Sequence, residues 1–167
     1  MLHINPGVIA LAALIPLVIG FIYYSPLLFA NAWMKAAGVS PERPTGGRMA
    51  LTFVLVYLCS FFIGFVLEFS VIHQFHVFSI LQGEPDVMTT GSHTNQVLTS
   101  FMTEYGDRFR TFKHGALHGT IVGLLFVTPI IAVNALFERR GFKYIAIHAG
   151  YWIITLALMG GVICQMT

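Results

Sequence analysis

The 167-residue chain is 56% hydrophobic and 14% aromatic, and only 10% of its residues are charged. A soluble domain carries about 25% charged residues, so too few polar side chains are present to cover a water-soluble globule. The net charge of +2 is also far from the basic excess that nucleic-acid binding requires. The composition therefore predicts an integral membrane protein whose partner is the lipid bilayer, with no nucleic acid.

Four apolar runs are long enough to cross a bilayer, which takes about 20 residues per helix. The first run also has the form of a secretory signal, but no Lys or Arg precedes it, which favours a membrane helix. Pro16 and Pro129 predict kinks in the first and third runs. We expect one domain, 1–167, with spans at approximately 6–24, 49–71, 113–136 and 144–166.

Two connecting segments have the pattern of helices that lie along the membrane surface. Phe29 and Trp33, four residues apart, indicate a short helix over 27–37. An amphipathic stripe over 94–112 indicates a second, bent at Gly106. The expected fold is all-α: a four-transmembrane-helix bundle with short interfacial helices after span 1 and before span 3.

Glycines recur every fourth residue at the start of the third span, which places them in one row on a helix. Small residues let membrane helices approach closely, so such a row predicts a helix contact. It would serve either a dimer or partner interface, or packing within the bundle, which we favour because span 4 offers small residues nearby. The predicted helix-packing residues are Gly115, Gly119, Gly123, Gly150 and Gly161.

Ionisable residues gather at one end of the predicted bundle. Glu68 ends the uncharged part of span 2, and His114 and His118 open span 3, so they should meet the same interface. A partly dehydrated carboxylate needs a nearby donor, which predicts Glu68 within hydrogen-bond or water-bridged reach of His118 or His114. His73 and His76 should cap this polar cluster, and the segment 82–112 should cover it.

The histidine spacings would also suit a transition metal. A catalytic di-metal site would need further carboxylates, and paired Glu-x-x-His motifs are absent from the sequence. Histidines at an interface more often bond loop carbonyls, so we expect no metal and no cofactor. Cys59 and Cys164 form neither a metal motif nor a disulfide framework. Asn134 is expected to be a buried polar group in span 3.

Short motifs in a fixed order give the chain a family resemblance. Tyr24-Ser25-Pro26-Leu27-Leu28-Phe29 followed by Trp33 closes span 1, and Leu136-Phe137-Glu138 closes span 3. Span 4 carries Ala149-Gly150-Tyr151 and Met159-Gly160-Gly161. Together these resemble a family of small bacterial four-helix membrane proteins known only as a domain of unknown function. The resemblance implies a fold and a membrane location and implies no activity.

Three functions remain open on the sequence. The leading one is a non-enzymatic accessory or scaffold subunit that packs against membrane-protein partners or forms a homo-oligomer. The first alternative is a membrane metalloprotein or enzyme that uses the cluster of histidines and Glu68. The second is a small oligomeric transporter. No catalytic residue is assigned, because the sequence has no Ser-His-Asp arrangement, phosphate loop or dinucleotide fingerprint.

Positive charges predict the orientation in the membrane. The connections after spans 1 and 3 carry six Lys or Arg residues, and the long connection after span 2 carries three. Positively charged loops stay in the cytoplasm. We therefore expect a bacterial inner-membrane protein with both termini, and the polar cluster, on the periplasmic side.

Cysteine labelling tests this orientation. In a background lacking Cys59 and Cys164, an impermeant thiol reagent applied to intact spheroplasts should label Ser92→Cys and leave Thr45→Cys unlabelled. The opposite labelling pattern would contradict the orientation.

Overall fold

A computed structural model describes residues 4–40, 42 and 45–167. In these residues the chain is all helical and contains no strand, which confirms the predicted class. Four helical stretches are long and apolar enough to cross a membrane: Pro6–Tyr23, Gly46–Val71, Phe112–Phe137 and Phe142–Met166.

Nine α-helices and one π-helical turn make up this part of the chain. They are α1 Pro6–Ala12, α2 Ile15–Tyr23, α3 Ala30–Ala37, α4 Gly46–Val71, α5 Gln74–Leu81, α6 His93–Tyr105, α7 Phe112–Val122, the π turn Gly123–Val127, α8 Thr128–Phe137 and α9 Phe142–Met166.

Prolines interrupt the first and third stretches. The first breaks over residues 13–14, just before Pro16, which has no N–H to continue the helix. The third contains the π turn, followed at once by Pro129 at the start of α8. Both the backbone N–H and the side-chain hydroxyl of Thr128 donate to the carbonyl of Gly123, which keeps the turn's backbone satisfied.

Helix α9 is the centre of the structure. It contacts α1, α2, α3, α4, α7, the π turn and α8. Of the most apolar 18 residues of α9, 56% are buried inside the protein. The corresponding share is 17% for α4 and 11% for the stretch from α7 to α8. Helices α4 and α7–α8 therefore present most of their apolar side chains to the surroundings.

The main core lies at one end of the helices. Side chains from α1, the end of α4 and the second half of α9 meet there, and a buried side chain of α5 packs against them. Its fully or nearly buried members include Ala12, Leu67, Val71, Ile72, Leu156, Met159 and Ile163. A smaller core at the other end of α9 is built around Tyr23, Ile147 and Tyr151.

Two expectations are wrong in detail. The amphipathic helix before the third stretch does not continue through a bend at Gly106 but ends at Tyr105. Phe109 then adopts a left-handed conformation with φ of 65°, which no α-helix can contain. Asn134, expected to be buried, is exposed, because α8 turns only the face carrying Ala135 towards the protein.

The three glycines at the start of the third stretch lie directly against the α9 backbone. A Cβ on Gly115 would meet the carbonyl oxygen of Gly160, and one on Gly119 would meet that of Leu156. At Gly123 the nearest atom would be Cα of Ile153 at 2.8 Å. Helices α7 and α9 therefore pack with backbone against backbone, at a separation that no side chain larger than hydrogen permits.

The two predicted glycines of α9 lie beside aromatic rings. A Cβ on Gly150 would come within 2.7 Å of the Tyr23 hydroxyl, and one on Gly161 within 2.6 Å of the Phe112 ring. Both positions accommodate a flat side chain from a neighbouring helix, so each would be crowded by a methyl group.

A single methyl group at Gly119 should therefore destabilise the protein. We expect Gly119→Ala to lower the free energy of unfolding by about 1–3 kcal/mol, the usual cost of overpacking a tight contact. The measurement is the unfolding midpoint in detergent, by heat or by added sodium dodecyl sulfate.

The matched control is Gly47→Ala in the first turn of α4, where an added Cβ has nothing within 4 Å. It should leave the midpoint unchanged or raise it, because alanine is the better helix former by roughly 1 kcal/mol. Equal shifts in the two variants would contradict the close contact.

Candidate metal site

Three imidazoles converge at the end of the bundle that holds the main core. Each of His73, His114 and His118 offers one ring nitrogen, and these three nitrogens all lie within 4.8 Å of one another. The Nε2 atoms of His73 and His114 are 2.9 Å apart. The ring centroid of His118 is 4.8 Å from that of His73 and 4.5 Å from that of His114. We call this group the His triad.

Helix α7 provides two members of the triad. The side-chain oxygen of its N-cap, Thr111, accepts a hydrogen bond from the backbone N–H of His114. This cap starts the helix about one turn before the first of the two imidazoles. His114 and His118 are four residues apart and so share one face of the helix. They are half-buried and stand beside Gly115 and Gly119, whose contact with α9 sets the rotation of α7.

The third member, His73, lies just beyond the end of α4 at Val71. Ile72 is extended, with φ of −110° and ψ of 96°, and its side chain is completely buried in the main core. This one residue turns the chain before α5 begins and places His73 against the imidazoles of α7. The buried Ile72 side chain holds the turn in place.

The loop between α6 and α7 lies against the triad. The side-chain amide of Gln74 donates to the carbonyls of Tyr105 and Arg108, at 3.0 and 2.9 Å. The Phe109 ring then stacks on His114, with centroids 5.0 Å apart and planes 22° apart. The thiol of Cys164 lies 3.3 Å from the Phe109 carbonyl oxygen and donates to it. Of the segment 82–112 expected to cover the cluster, this loop lies on the triad, and Phe101 and Tyr105 of α6 line a groove together with His73.

The surroundings of His73 favour the neutral form of its imidazole. Partial burial lowers the pKa of His73, and the neighbouring His114 and His76 lower it further. A neutral ring has a free nitrogen lone pair, which is the form that binds a metal. One ring nitrogen from each of the three imidazoles faces the same small volume.

Glu68 occupies a different environment from the one expected. It is completely buried, whereas the sequence predicted a carboxylate at the membrane interface that loses only part of its hydration. Its Oε1 accepts a hydrogen bond from the backbone N–H of Asn5 at 3.2 Å, because the start of α1 packs over the end of α4. Glu68 is not a member of the His triad. Its pairing with His114 or His118 stays a prediction.

Two other histidines of the described residues, His76 and His93, are not members of the triad. His76 is exposed and influences His73 through its charge, and His93 begins α6 outside the triad. His3 is outside the described residues.

A second polar contact, which sequence reasoning missed, lies at the opposite end of α9. The hydroxyl of Tyr24 and Nδ1 of His148 are 3.1 Å apart, and the Tyr144 ring lies 4.3 Å from the His148 ring, centroid to centroid. Burial, followed by the nearby Tyr151 and other tyrosines, raises the pKa of Tyr24. The four-residue spacing of Tyr144 and His148 was the available signal. The Tyr24 ring also lies 5.3 Å from the Tyr151 ring, centroid to centroid, which brings two of the resemblance motifs together.

The sequence profile of one family, described as protein of unknown function (DUF1761), matches residues 8–164. The match includes every member of the His triad and α9 as far as Cys164. No curated protein and no solved structure matches the chain. Because the profile covers nearly the whole sequence, the chain belongs to the DUF1761 family.

Proposed function

We propose that this protein is a multi-pass membrane protein that binds a transition-metal ion, most readily Zn²⁺, through the His triad. The observation that supports it is the convergence of three ring nitrogens from two separate parts of the chain within 4.8 Å. Imidazole is a ligand for zinc, copper, iron and nickel, so the donor set selects this group of metals over magnesium or calcium.

The distances are close to those that coordination needs. Zinc–nitrogen bonds of about 2.0–2.1 Å at tetrahedral angles separate two ligand nitrogens by roughly 3.4 Å. The 2.9 Å between His73 and His114 is the length of a hydrogen bond between two imidazoles. Moving the two nitrogens apart by about 0.5 Å exchanges this hydrogen bond for two metal bonds.

Three protein ligands leave one tetrahedral position open. Zinc sites that only stabilise a fold have four protein ligands, whereas sites that act on another molecule keep one position for water or substrate. The triad matches the second pattern. This makes a binding or chemical role at the metal more consistent with the geometry than a purely structural one.

The accessory role remains a second candidate, supported by the exposed apolar faces of α4 and α7–α8. Of the most apolar 18 residues in each, only 17% are buried in α4 and 11% in α7–α8. Such faces suit contact with lipid, with a membrane-protein partner, or with a second copy of the chain. The transporter alternative has less support, since apolar residues flank both helix interruptions, 13–14 and 123–127.

Zinc titration tests the metal proposal. We expect saturable binding of one Zn²⁺ per chain by the protein purified in detergent, measured by calorimetry, and a zinc-dependent rise in the unfolding midpoint. At a free zinc concentration of 100 times Kd, a site absent from the unfolded chain adds about 2.7 kcal/mol to the free energy of unfolding. His114→Ala should abolish both effects.

The matched control is His76→Ala, which removes an exposed imidazole three residues from His73 and outside the triad. It should bind zinc as the parent protein does. Equal zinc affinity in the two variants, or no saturable binding in the parent protein, would refute the metal proposal.

The accessory role predicts assembly. Extracted in a mild detergent, the 18.5 kDa chain should run in a complex of at least twice its own mass, as measured by light scattering corrected for detergent. A monodisperse single chain with no copurifying membrane protein would count against this role.

A further inference from the structure

An apolar groove runs along the outside of the helices at membrane depth. It has a volume of about 390 Å³ and lies between α4, the end of α7 with the π turn, and α9. Apart from the Ser70 hydroxyl and the Trp152 indole, the described residues that line it offer only hydrocarbon and phenyl groups. Its lining includes Phe62, Val66, Ser70, Val122, Phe126 and Trp152.

One end of this groove lies one helical turn from the His triad. Val122 follows His118 by four residues on the uninterrupted helix α7, so the two share a face about 6 Å apart along the axis. Ser70 precedes His73 by three residues at the end of α4. A chain-like molecule in the groove would therefore have its end at the three imidazoles.

The triad end of the groove favours an anionic group. A Zn²⁺ ion held by three neutral imidazoles keeps its charge of +2 and an open ligand position. The adjoining segment carries Arg108, Arg110 and Lys113 against the acidic Glu104 and Asp107. Among the described residues, Nη1 of Arg110 is buried without a hydrogen-bond partner. This segment, which supplies the loop on the triad, therefore carries one net positive charge.

Resting on the proposed zinc site, we propose that the groove and the triad together bind an anionic phospholipid. One acyl chain lies in the groove, and a phosphate oxygen takes the fourth position on the metal. Four helical stretches long and apolar enough to cross a membrane place the groove where acyl chains are available. The triad stands at the ends of α4 and α7, where a span meets its boundary and a head group would lie.

Photo-crosslinking tests this proposal. The probes are phosphatidylglycerol and phosphatidylcholine, each with a diazirine near the end of one acyl chain, added to the protein in detergent with and without Zn²⁺. Zinc should raise phosphatidylglycerol labelling by about tenfold, which corresponds to about 1.4 kcal/mol. The labelled peptides should contain Phe62, Phe126 or Trp152. Phosphatidylcholine labelling should rise less with zinc, because its choline cation offsets the phosphate charge that attracts the lipid to the metal.

Variants separate the groove from the metal. Val122→Trp fills the groove next to the triad and should remove phosphatidylglycerol labelling while zinc binding persists. Leu124→Trp is the control, since Leu124 is exposed outside the groove. Ser70→Phe narrows the groove from α4 and replaces Val122→Trp if that variant fails to fold. His114→Ala should leave the zinc-independent labelling and remove its zinc-induced rise.

The outcomes distinguish the two proposals. Saturable zinc binding with labelling that is equal for both lipids, or unchanged in Val122→Trp and Ser70→Phe, would overturn the lipid site and leave the metal site standing. Absence of saturable zinc binding would overturn the metal site, and the zinc-bridged lipid with it. Inorganic phosphate that removes the zinc-induced rise in labelling would support the phosphate as the ligand group.

Discussion

The direct contact between the backbones of α7 and α9 determines how the rest of the structure is arranged. In a bilayer, helices gain little from burying apolar side chains against each other, because lipid is equally apolar. Dispersion between closely packed atoms has to provide the association instead, and it decays steeply with distance. Gly115, Gly119 and Gly123 remove the side chains that would hold the helices apart. Replacing one of these hydrogens with a methyl would separate the two helices along their length.

This contact also fixes the positions of the imidazoles. Because the glycine face of α7 lies on α9, the direction in which the face with His114 and His118 points is fixed. Helix α4 packs on α9 as well, and its end at Val71 places His73 at the same height. The triad is thus the result of two helices docking independently on a third. A small rotation of α7 would move its two imidazoles relative to His73 and break the 2.9 Å contact between His73 and His114.

The sequence predicts the parts of this arrangement that depend on periodicity. Four apolar runs predict four long helices, and the four-residue spacing of the glycines and of His114 and His118 predicts which residues share a face. It does not predict the extended conformation of Ile72, because a β-branched residue at that point also continues a helix readily. The apolar run does predict that the span ends near residue 71, as α4 does. It does not predict the direction of the chain beyond that residue, which depends on the burial of the Ile72 side chain in the core. The left-handed Phe109 is likewise set by tertiary contacts, through the hydrogen bonds that Gln74 and Cys164 make with its loop.

The π turn has a consequence for the orientation of the helix beyond it. Ala135 follows Gly123 by 12 residues. In a regular α-helix this spacing would place Ala135 roughly 120° around the helix axis from Gly123. A π turn accommodates about one additional residue without advancing the rotation, so Ala135 lies roughly 20° from the glycine row. Ala135 is completely buried, on the side where the glycines meet α9. The π turn thus corrects the helical register by holding one additional residue. As a result, a single face of the stretch remains in contact with α9 from Gly115 to Ala135.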